Sequence, residues 1–335
     1  MHDGAGVAPL AARSRLAVAL AELGPLPPGR VAAWRPPAGA DLLALGADVH
    51  AIHGFRPDHD RLAAEGFATG VAPEGAYAAA AVFLPRSRAA GRDMIARAMA
   101  MLPPGAPVLV DGAKTDGVDG ILRSARKHVP GTSDAVSKAH GKTFVVPAGT
   151  PPESFAAPER RAEGMVTPAG GFSEGRVDPG SRLLAEALAD RLPAHVVDLG
   201  AGWGWLSAQA LAREGVERVD VVEAEHAVLE TARRNLRDPR ARFHWADVRE
   251  WTPDAPADLA VANPPFHEGR RADPSLGAAF VRAAARALAP RGALMLVANR
   301  HLPYEAALAE AFASHAEVRG TSAFKVIRAE RPRRP

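Results

Sequence analysis

The chain has 335 residues, of which 47% are hydrophobic, and a formal net charge of +3. This length allows two domains of ordinary size, each with a sizeable core. The chain contains no cysteine, which excludes disulfides, thiolate metal sites and cysteine nucleophiles. No apolar run reaches the length of a membrane span, and the first residues lack a basic region followed by an apolar stretch. We therefore expect a cytoplasmic protein that holds no metal and contacts no membrane.

The basic residues are almost all arginine, since only five of the 41 are lysine. The guanidinium group suits phosphate and base contacts because its planar fork donates two parallel hydrogen bonds. A genome whose base composition favours alanine, glycine, proline and arginine would produce the same excess. Composition alone therefore does not assign a nucleic-acid partner.

Residues 1 to about 150 alternate strand-like and helix-like segments, a pattern that predicts a parallel sheet covered by helices. The expected strands are 31–34, 77–84, 107–110 and 143–146. The expected helices are 88–101 and 118–128. This half contains no glycine-rich turn between a strand and a helix.

Residues 151–177 are rich in proline, glycine, alanine and glutamate, and we interpret them as a linker between domains 1–150 and 178–335. Asp178 is placed to cap a helix, because its side chain can accept a hydrogen bond from the first turn. The apolar face of that helix is formed by Leu183, Leu184, Leu188 and Leu192.

The second half alternates in the same way and again predicts a parallel sheet between helices. The expected strands are 195–199, 218–222, 241–245, 258–262, 293–297 and 324–327. Helices are expected to begin near 206, to end near 235, and to span 274–288 and 304–312. Each half closes with a strand that carries a lysine, Lys142 or Lys325.

The two halves therefore resemble each other weakly. Where the second half has Asn-Pro-Pro-Phe at 263–266, the first has Leu-Pro-Arg-Ser at 84–87. We hypothesise an old duplication in which the first copy kept the scaffold and lost the chemistry.

A strand, a glycine-rich turn and a helix follow one another in residues 197–205. Gly200, Gly202 and Gly204 let the backbone approach a ligand closely. Their spacing is G-x-G-x-G, whereas dinucleotide sites use G-x-G-x-x-G, and this difference disfavours a nicotinamide oxidoreductase. Asp198 ends the strand, where it can accept from a positively charged amino-acid group or order a water molecule.

Two further acids follow the next two strands. Glu223 ends the second strand, where an acidic residue binds ribose hydroxyls in this kind of sheet. Asp247 follows the third strand and can accept from an adenine amino group. Each acid taken singly also fits a surface loop or a helix cap. Their shared position at the carboxyl ends of consecutive strands predicts one ligand site.

Asn263-Pro264-Pro265-Phe266 follows a short buried strand that the two prolines end. Open α/β sheets bind ligands at this carboxyl edge. The Asn263 side-chain carbonyl and the Pro264 backbone carbonyl can accept both N–H bonds of an NH2 group on a planar ring, on which Phe266 can stack. The alternative is a tight turn with Phe266 in the core.

The glycine turn, Glu223, Asp247 and the Asn-Pro-Pro-Phe stretch, in this order, resemble a class I S-adenosylmethionine-dependent methyltransferase. More narrowly, the chain is similar to the bacterial ribosomal RNA guanine-N2 methyltransferases, especially the small-subunit (16S rRNA) enzymes. This resemblance covers nearly the whole chain and is carried by residues 111–117, 138–142, 178–181, 263–269 and 299–304. Trp203 and Trp205 beside the glycines, and residues 1 to about 30, depart from the family pattern.

The resemblance implies two Rossmann-like methyltransferase domains in tandem. The N-terminal domain would be degenerate and would bind RNA or serve as scaffold, and the C-terminal domain would be catalytic, with a seven-stranded, mostly parallel sheet between helices. It also implies S-adenosylmethionine as cofactor, and ribosomal RNA in the small subunit or its precursor as partner of a monomeric protein. The implied catalytic residues are Asn263, Pro264, Pro265 and Phe266. The implied cofactor-binding residues are Asp198, Gly200, Ala201, Gly202, Gly204, Glu223, Ala224, Asp247, Val248 and Asn263. The expected RNA contacts are Arg86, Lys114, His267 and Arg300.

Several other functions fit part of this pattern. Large-subunit ribosomal guanine N2, adenine N6 and a protein glutamine amide all present a conjugated NH2 group and would use the same kind of loop. A non-catalytic RNA-binding assembly factor would share the fold. The intact glycine turn and Asn263 argue against that last function.

Overall fold

The computed structural model describes residues 14–168, 175–265, 267–268, 271–272 and 274–333. The chain divides into two compact units, Met1–Pro158 and Glu159–Pro335. The segment 151–177, expected as a linker, is folded where it is described. A 3-10 turn, Glu153–Phe155, buries its last side chain in the core of the first unit. A hairpin at 160–167 belongs to the second unit, so the division between the units falls inside the expected linker.

In the first unit, strands and helices alternate along the chain. The strands are β1 (Val31–Trp34), β2 (Val49–Ile52), β3 (Ala68–Gly70), β4 (Ala79–Phe83), β5 (Pro107–Ala113), β6 (Val136–Lys138) and β7 (Gly141–Pro147). The helices are α1 (Arg15–Leu23), α2 (Arg56–Ala64), α3 (Arg88–Met101) and α4 (Val118–His128). Over the described residues these strands form one sheet in the order β3-β2-β1-β4-β5-β7-β6. Pairing is parallel from β3 to β5, and β7 is antiparallel to both β5 and β6.

The second unit repeats this arrangement. Its strands are β8 (Arg160–Ala162), β9 (Met165–Thr167), β10 (His195–Leu199), β11 (Arg218–Glu223), β12 (Ala241–Trp245), β13 (Ala257–Ala262), β14 (His267–Glu268), β15 (Arg271–Ala272), β16 (Leu288–Asn299), β17 (Phe312–Gly320) and β18 (Phe324–Pro332). Its helices are α5 (Pro179–Ala187), α6 (Trp205–Leu211), α7 (His226–Asn235), α8 (Pro274–Ala287) and α9 (Glu305–Ala311). Its main sheet has the order β12-β11-β10-β13-β16-β18-β17 across the described part of the chain.

The two sheets have the same order when each is numbered from its own first strand. In both, the first strand lies in the middle, the second and third follow outward on one side, and the sheet ends with an antiparallel hairpin on the other. This confirms the predicted tandem of Rossmann-like domains and the mostly parallel, seven-stranded sheet predicted for the second. It also supports the hypothesis of duplication.

Most predicted strands and helices are present with ends shifted by a few residues. The missed elements include α1, β2 and β6 as well as α2, β3 and β17, and the last three carry weak local signals. Helix α2 buries a single apolar side chain, Leu62, and β3 has three residues. Strand β17 is exposed along almost its whole length, so its sequence shows no alternation. Strands β3 and β17 are held by pairing with β2 and β18, which local periodicity does not show.

Helices cover both faces of the second sheet because alternate strand residues point to opposite sides. Val196 packs in a core with side chains of α5, α6 and α7. Val197 and Leu199 pack in a second core with side chains of α8 and α9. None of the described helices is long and apolar enough to cross a membrane.

A buried ion network ties the adjacent strands β10, β11 and β12 of the second unit together. Asp220 is fully buried and accepts from Nε2 of His195 at 2.7 Å, from Nε2 of His244 at 2.9 Å and from Arg218 at 2.9 Å. Burial by itself would raise the pKa of Asp220, but hydrogen bonds from His244, His195 and Arg218 outweigh it and lower the pKa to about 2. The carboxylate therefore stabilises the native sheet in its charged form.

We expect Asp220→Asn to lower the free energy of unfolding by about 2–4 kcal/mol at pH 7, because it removes a buried charge and replaces one of the two acceptor oxygens with an NH2 group that faces donors. Because the folded pKa lies below the ordinary 3.8, the stabilisation is present above pH 4 and is lost as the pH falls toward 2. Denaturant unfolding of both proteins across this pH range measures the difference. Asp254→Asn is the matched control, since Asp254 also pairs with Arg218 but has a side chain 64% exposed. An equal effect of both substitutions would contradict the prediction.

Candidate active site

The glycine turn after β10 adopts a backbone that other residues rarely take. Gly200, Gly202 and Gly204 have φ angles of 71°, 59° and 87°. A Cβ on Gly200 would lie 2.9 Å from Phe280, and one on Gly204 would lie 2.9 Å from Leu236. A Cβ on Gly202 would meet no atom within 4 Å. The outer glycines are therefore required by packing, whereas Gly202 leaves open space in which a ligand can approach the backbone.

Glu223 fixes this turn from the neighbouring strand. Its Oε2 accepts from the Gly202 amide at 2.9 Å, and its Oε1 accepts from the Glu225 amide at 2.8 Å. Burial raises the pKa of Glu223, and these two amides oppose the rise. Each carboxylate oxygen can accept a further bond, so Glu223 retains the capacity to bind ribose hydroxyls.

Asp198 is fully buried at the end of β10. Its Oδ2 accepts from the Ser207 hydroxyl at 2.6 Å, whereas its Oδ1 is buried without a partner among the described residues. Burial raises the pKa of Asp198 to about 7, although Ser207 acts in the opposite direction. A buried acceptor without a donor is costly, so this oxygen marks a place where a donor or cation from a ligand would be stabilised.

The loop after β12 lies beside the end of β11, since the Ala246 amide donates to the Glu223 carbonyl at 3.1 Å. Trp245 donates from its indole to the Ala224 carbonyl at 2.8 Å. Val248, the neighbour of Asp247, is buried. The Asp247 carboxylate already accepts from Arg249 Nε at 2.8 Å, so an adenine amino group would share this acceptor with an arginine. The role predicted for Asp247, to accept a hydrogen bond from an adenine amino group, stays a prediction.

Asn263 follows β13 and has a fixed side-chain amide. Its Nδ2 donates to Asp178 Oδ2 and to Ser181 Oγ, both at 2.8 Å. A carboxylate can only accept, so the NH2 group must face Asp178 and the carbonyl must face away from it. The Oδ1 atom is buried and has no partner in the described part of the chain. The amide thus presents an unused acceptor in one orientation.

The Asp178 carboxylate makes two contacts. It caps α5 by accepting from the Ser181 amide at 2.9 Å, as its sequence position predicts, and it also holds Asn263. The second contact joins residues 85 positions apart and was not predicted. Its only sequence signal was the resemblance of residues 178–181 to the family motif.

The tryptophans that depart from the family pattern connect the glycine turn to the β8–β9 hairpin. The Trp205 indole donates to Glu163 Oε2 at 2.9 Å. Asn235 exchanges two 2.8 Å bonds with the Val166 backbone and donates to the Trp203 carbonyl at 2.9 Å. The sequence analysis did not predict the contacts of Glu163 or of Asn235, because each joins segments that are distant in the chain.

Strand register brings the predicted residues to one edge. Leu199 pairs with Val222 on one side and with Ala262 on the other, so the glycine turn lies between Glu223 and Asn263. Asp247 lies on the same edge, because Glu223 pairs with Trp245. The predicted cofactor residues and Asn263 therefore share the carboxyl edge of four adjacent strands.

The remaining predicted residues are distributed more widely. Pro264 is buried and Pro265 is exposed, whereas Phe266 and the side chain of His267 lie outside the described residues. Arg300 does not present a free guanidinium, because it donates to the Thr321 carbonyl at 2.8 Å and pairs with Glu317 at 2.8 Å. These bonds connect it to the β17–β18 turn, and its predicted RNA contact stays a prediction. Arg86 and Lys114 are exposed in the first unit, after β4 and β5.

This strand edge, with its glycine turn, two strand-end acids and Asn-Pro-Pro sequence, defines a class I methyltransferase dependent on S-adenosylmethionine. A family model described as the methyltransferase small domain matches residues 163–328. A T. thermophilus 16S rRNA N2 methyltransferase, solved in complex with AdoMet and guanosine, is 28% identical with a TM-score of 0.79 over 96% of this chain and 93% of that chain.

Comparison with curated relatives narrows the family to which the chain belongs. A ribosomal RNA small subunit methyltransferase C from Pseudomonas paraeruginosa is 32% identical over 274 residues, which are 78% of this chain and 81% of that protein. A ribosomal RNA large subunit methyltransferase G from Shewanella amazonensis is 32% identical over 164 residues, 47% of this chain and 43% of that protein. The chain belongs to the ribosomal RNA small subunit methyltransferase C family. The resemblance inferred from the motifs is confirmed.

We expect Asp178→Ala to lower kcat on the order of 10- to 100-fold while the Kd for S-adenosylmethionine changes little, because Asn263 would lose its orienting acceptor. The substitution also removes a helix cap, at a cost of about 1 kcal/mol. Ser14→Ala is the matched control, since Ser14 caps α1 by accepting from the Ala17 amide at 3.0 Å. Thermal unfolding and single-turnover kinetics separate the two effects. A kcat in Asp178→Ala equal to that in Ser14→Ala would exclude the orienting role.

We also expect affinity for S-adenosylmethionine to fall about tenfold between pH 8 and pH 6, because a carboxyl of pKa about 7 must ionise to bind a cationic group. Ser207→Ala should move this dependence to higher pH, since the hydroxyl stabilises the ionised form. Calorimetry at a series of pH values provides the measurement. The same dependence in Asp198→Asn would show that another group is responsible.

Proposed function

We propose that this protein transfers a methyl group from S-adenosylmethionine to the exocyclic N2 of a guanine in 16S ribosomal RNA. The observation that carries the proposal is the buried, unpaired Oδ1 of Asn263, which Asp178 and Ser181 hold in one orientation beside the glycine turn. This oxygen has no donor among the described residues, and an N–H group of a substrate amine would supply one.

The residues at the strand edge fit the cofactor. Gly202 leaves space for close approach, Glu223 retains acceptor capacity for ribose hydroxyls, and Asp198 Oδ1 lacks a donor that an amino-acid ammonium group would supply. Ala201, Ala224, Asp247 and Val248 line the neighbouring loops in this proposal. When bound, S-adenosylmethionine supplies the electrophilic methyl carbon attached to its sulfonium sulfur.

The protein's part in the reaction is to position the amine and stabilise charge on it. The guanine N2 lone pair is delocalised into the ring, which makes N2 a weak nucleophile. Asn263 Oδ1 and the Pro264 carbonyl would accept its two N–H bonds and stabilise the positive charge that develops on nitrogen. Phe266 would stack on the base. No strong general base is needed, because the proton can leave for water after the transfer.

We propose that the first unit does not bind the cofactor. Arg35 occupies the place of Gly200: its amide donates to the Ile52 carbonyl at 2.9 Å, as the Gly200 amide donates to the Val222 carbonyl at 2.9 Å, and its φ is 52°. His53 follows Ile52 as Glu223 follows Val222, so a carboxylate is missing. Burial lowers the pKa of His53 to about 3, so the ring is neutral. This degenerate unit would instead hold ribosomal RNA by its backbone and shape.

A large-subunit guanine is the second candidate target, favoured by the Shewanella amazonensis relative described above. We prefer RNA of the small subunit or of its precursor as the target. The alignment with the small-subunit methyltransferase covers 81% of that relative, whereas the alignment with the large-subunit methyltransferase covers 43% of it.

The test is mass mapping of methylated guanines on undermethylated small and large subunits, with the intact protein and Asn263→Ala. We expect one N2-methylguanosine in 16S RNA, and a loss of methyl transfer in Asn263→Ala with cofactor binding retained in calorimetry. Asn263→Asp keeps an acceptor oxygen but places a second carboxylate against Asp178, so we expect it to be inactive at neutral pH as well. Methylation only in the large subunit, or unchanged turnover of Asn263→Ala, would overturn the proposal.

A further inference from the structure

The glycine turn of the second unit is held by two neighbouring elements. The Gly202 backbone amide donates to Glu223, at the end of β11, at 2.9 Å. The Trp203 carbonyl accepts from Nδ2 of Asn235, the last residue of α7, also at 2.9 Å. A Cβ on Gly202 would meet no atom within 4 Å. The open part of the turn, which a ligand can approach, therefore lies between two peptide groups that are fixed from outside the turn.

The side-chain amide of Asn235 has one orientation. Its Oδ1 accepts from the Val166 backbone amide and its Nδ2 donates to the Val166 carbonyl, both at 2.8 Å. A half-turn of the side chain would place Oδ1 against two carbonyls and Nδ2 against an N–H group. The two bonds to β9 therefore direct the second N–H of Nδ2 at the Trp203 carbonyl. Stability of the hairpin alone requires only the bonds to Val166, so the third bond has a different consequence.

A second contact from the same hairpin reaches the residue after the turn. Glu163, which lies between β8 and β9, accepts from the Trp205 indole at 2.9 Å and from Arg182 at 2.5 Å. The side chains of Glu163 and Arg182 are 46% and 48% exposed, so water weakens their ion pair. Trp203, by contrast, is only 6% exposed. The bond from Asn235 is thus the better protected of the two ties on the turn.

Fixing this turn before a ligand arrives affects how tightly the ligand binds. Three of the five residues 200–204 are glycine, and glycine has more backbone freedom to lose than any other residue. Ordering the backbone of one residue during binding weakens a binding constant by about five- to thirtyfold. Contacts that order the turn in the free protein remove this loss from the binding step.

We propose that Asn235 is a positioning residue for S-adenosylmethionine, and that the β8–β9 hairpin holds its side chain in the required orientation. Asn235 acts through the Trp203 peptide group, which it keeps in the conformation that receives the cofactor. The inference rests on the proposed function, because it takes the glycine turn as the place where the cofactor binds. It adds that a helix end and a hairpin outside the strand edge set the affinity for the cofactor.

The first test is Asn235→Ala in the full-length protein. We expect the Kd for S-adenosylmethionine, measured by calorimetry without RNA, to rise about tenfold. In turnover, the KM for the cofactor should rise by the same factor, whereas kcat at saturating cofactor and the KM for RNA should not change. A partial loss of folded protein would instead lower the apparent kcat and leave both KM values unchanged.

Arg234→Ala is the matched control. Arg234 precedes Asn235 on α7 and donates to Glu159, next to β8, at 2.9 Å, but it has no hydrogen bond to the glycine turn in the described part of the chain. We expect this variant to bind the cofactor as the wild type does. Thermal unfolding of each variant confirms that it is folded. A Kd in Asn235→Ala equal to that in Arg234→Ala would overturn the proposal.

Asn235→Asp is the second variant. It keeps the size of the side chain and the acceptor for the Val166 backbone amide, but it places an oxygen against the Trp203 carbonyl. We expect its Kd for S-adenosylmethionine to rise at least as much as in Asn235→Ala. Cofactor affinity equal to that of the wild type would overturn the proposal.

Hydrogen exchange of the backbone amides of residues 200–204 tests the proposal in the wild type, whether or not the variants fold. We expect these amides to be protected before cofactor is added and to gain little protection when it binds. In Asn235→Ala they should exchange faster in the free protein and match the wild type at saturating cofactor. Unprotected turn amides in the free wild type would overturn the proposal, because the ligand would then order the turn.

The two proposals fail separately, because cofactor binding is measured without RNA. A wild type whose cofactor affinity depends on Asn235, but which methylates no guanine, would refute the proposed function alone. A wild type that methylates 16S RNA, together with an Asn235→Ala variant of unchanged cofactor affinity, would refute the positioning role alone.

Discussion

The hydrogen bond between the Asn263 amide and the Asp178 carboxylate is the contact on which the proposed active site depends. A primary amide can rotate by half a turn with little change of shape, and would then present NH2 where an acceptor is needed. A carboxylate partner removes this ambiguity because it cannot donate. The same carboxylate caps α5, so one side chain ties the start of a helix to the loop after a strand. The fold thereby fixes the acceptor that we propose for catalysis with an interaction that also stabilises the helix.

The carboxyl edge of the second sheet contains polar atoms that have no hydrogen-bond partner in the described part of the chain. Asp198 Oδ1 and Asn263 Oδ1 are both buried without partners in the described part of the structure. Buried acceptors of this kind destabilise a protein unless a ligand supplies the donors. Their placement at the carboxyl ends of the adjacent strands β10 and β13, one for a cationic cofactor and one for a neutral amine, would make binding of the two substrates favourable at adjacent positions. Preorganised acceptors of this kind need no rearrangement when charge develops on the amine.

The two units show how one topology can serve two uses. Both sheets have the same strand order, and the backbone at Arg35 reproduces the left-handed conformation and hydrogen bond of Gly200. A long cationic side chain at that position, and a neutral histidine in place of Glu223, would remove the features that suit a nucleoside ligand. A unit without a cofactor site would then serve for contact with RNA, as proposed above.

The sequence by itself determined the α/β class, the tandem arrangement, the glycine turn and the acceptor loop at 263–266, because each of these depends on residues that are close together in the chain. It placed Asp198, Glu223 and Asp247 at strand ends, and parallel pairing then brings such ends to one edge without further information. It did not reveal α2, β3 or β17, which have little apolar periodicity. It also did not reveal the hydrogen bonds that join Glu163 to Trp205 and Asn235 to the Trp203 carbonyl beside the glycine turn. It did not reveal the hydrogen bonds of Arg300 to Glu317 and to the Thr321 carbonyl, and the RNA contact predicted for Arg300 stays a prediction. Only the tertiary structure decided that Asp178 orients Asn263, because hydrogen bonds between segments 85 residues apart depend on how helices dock on the sheet, and local sequence patterns contain no record of that docking.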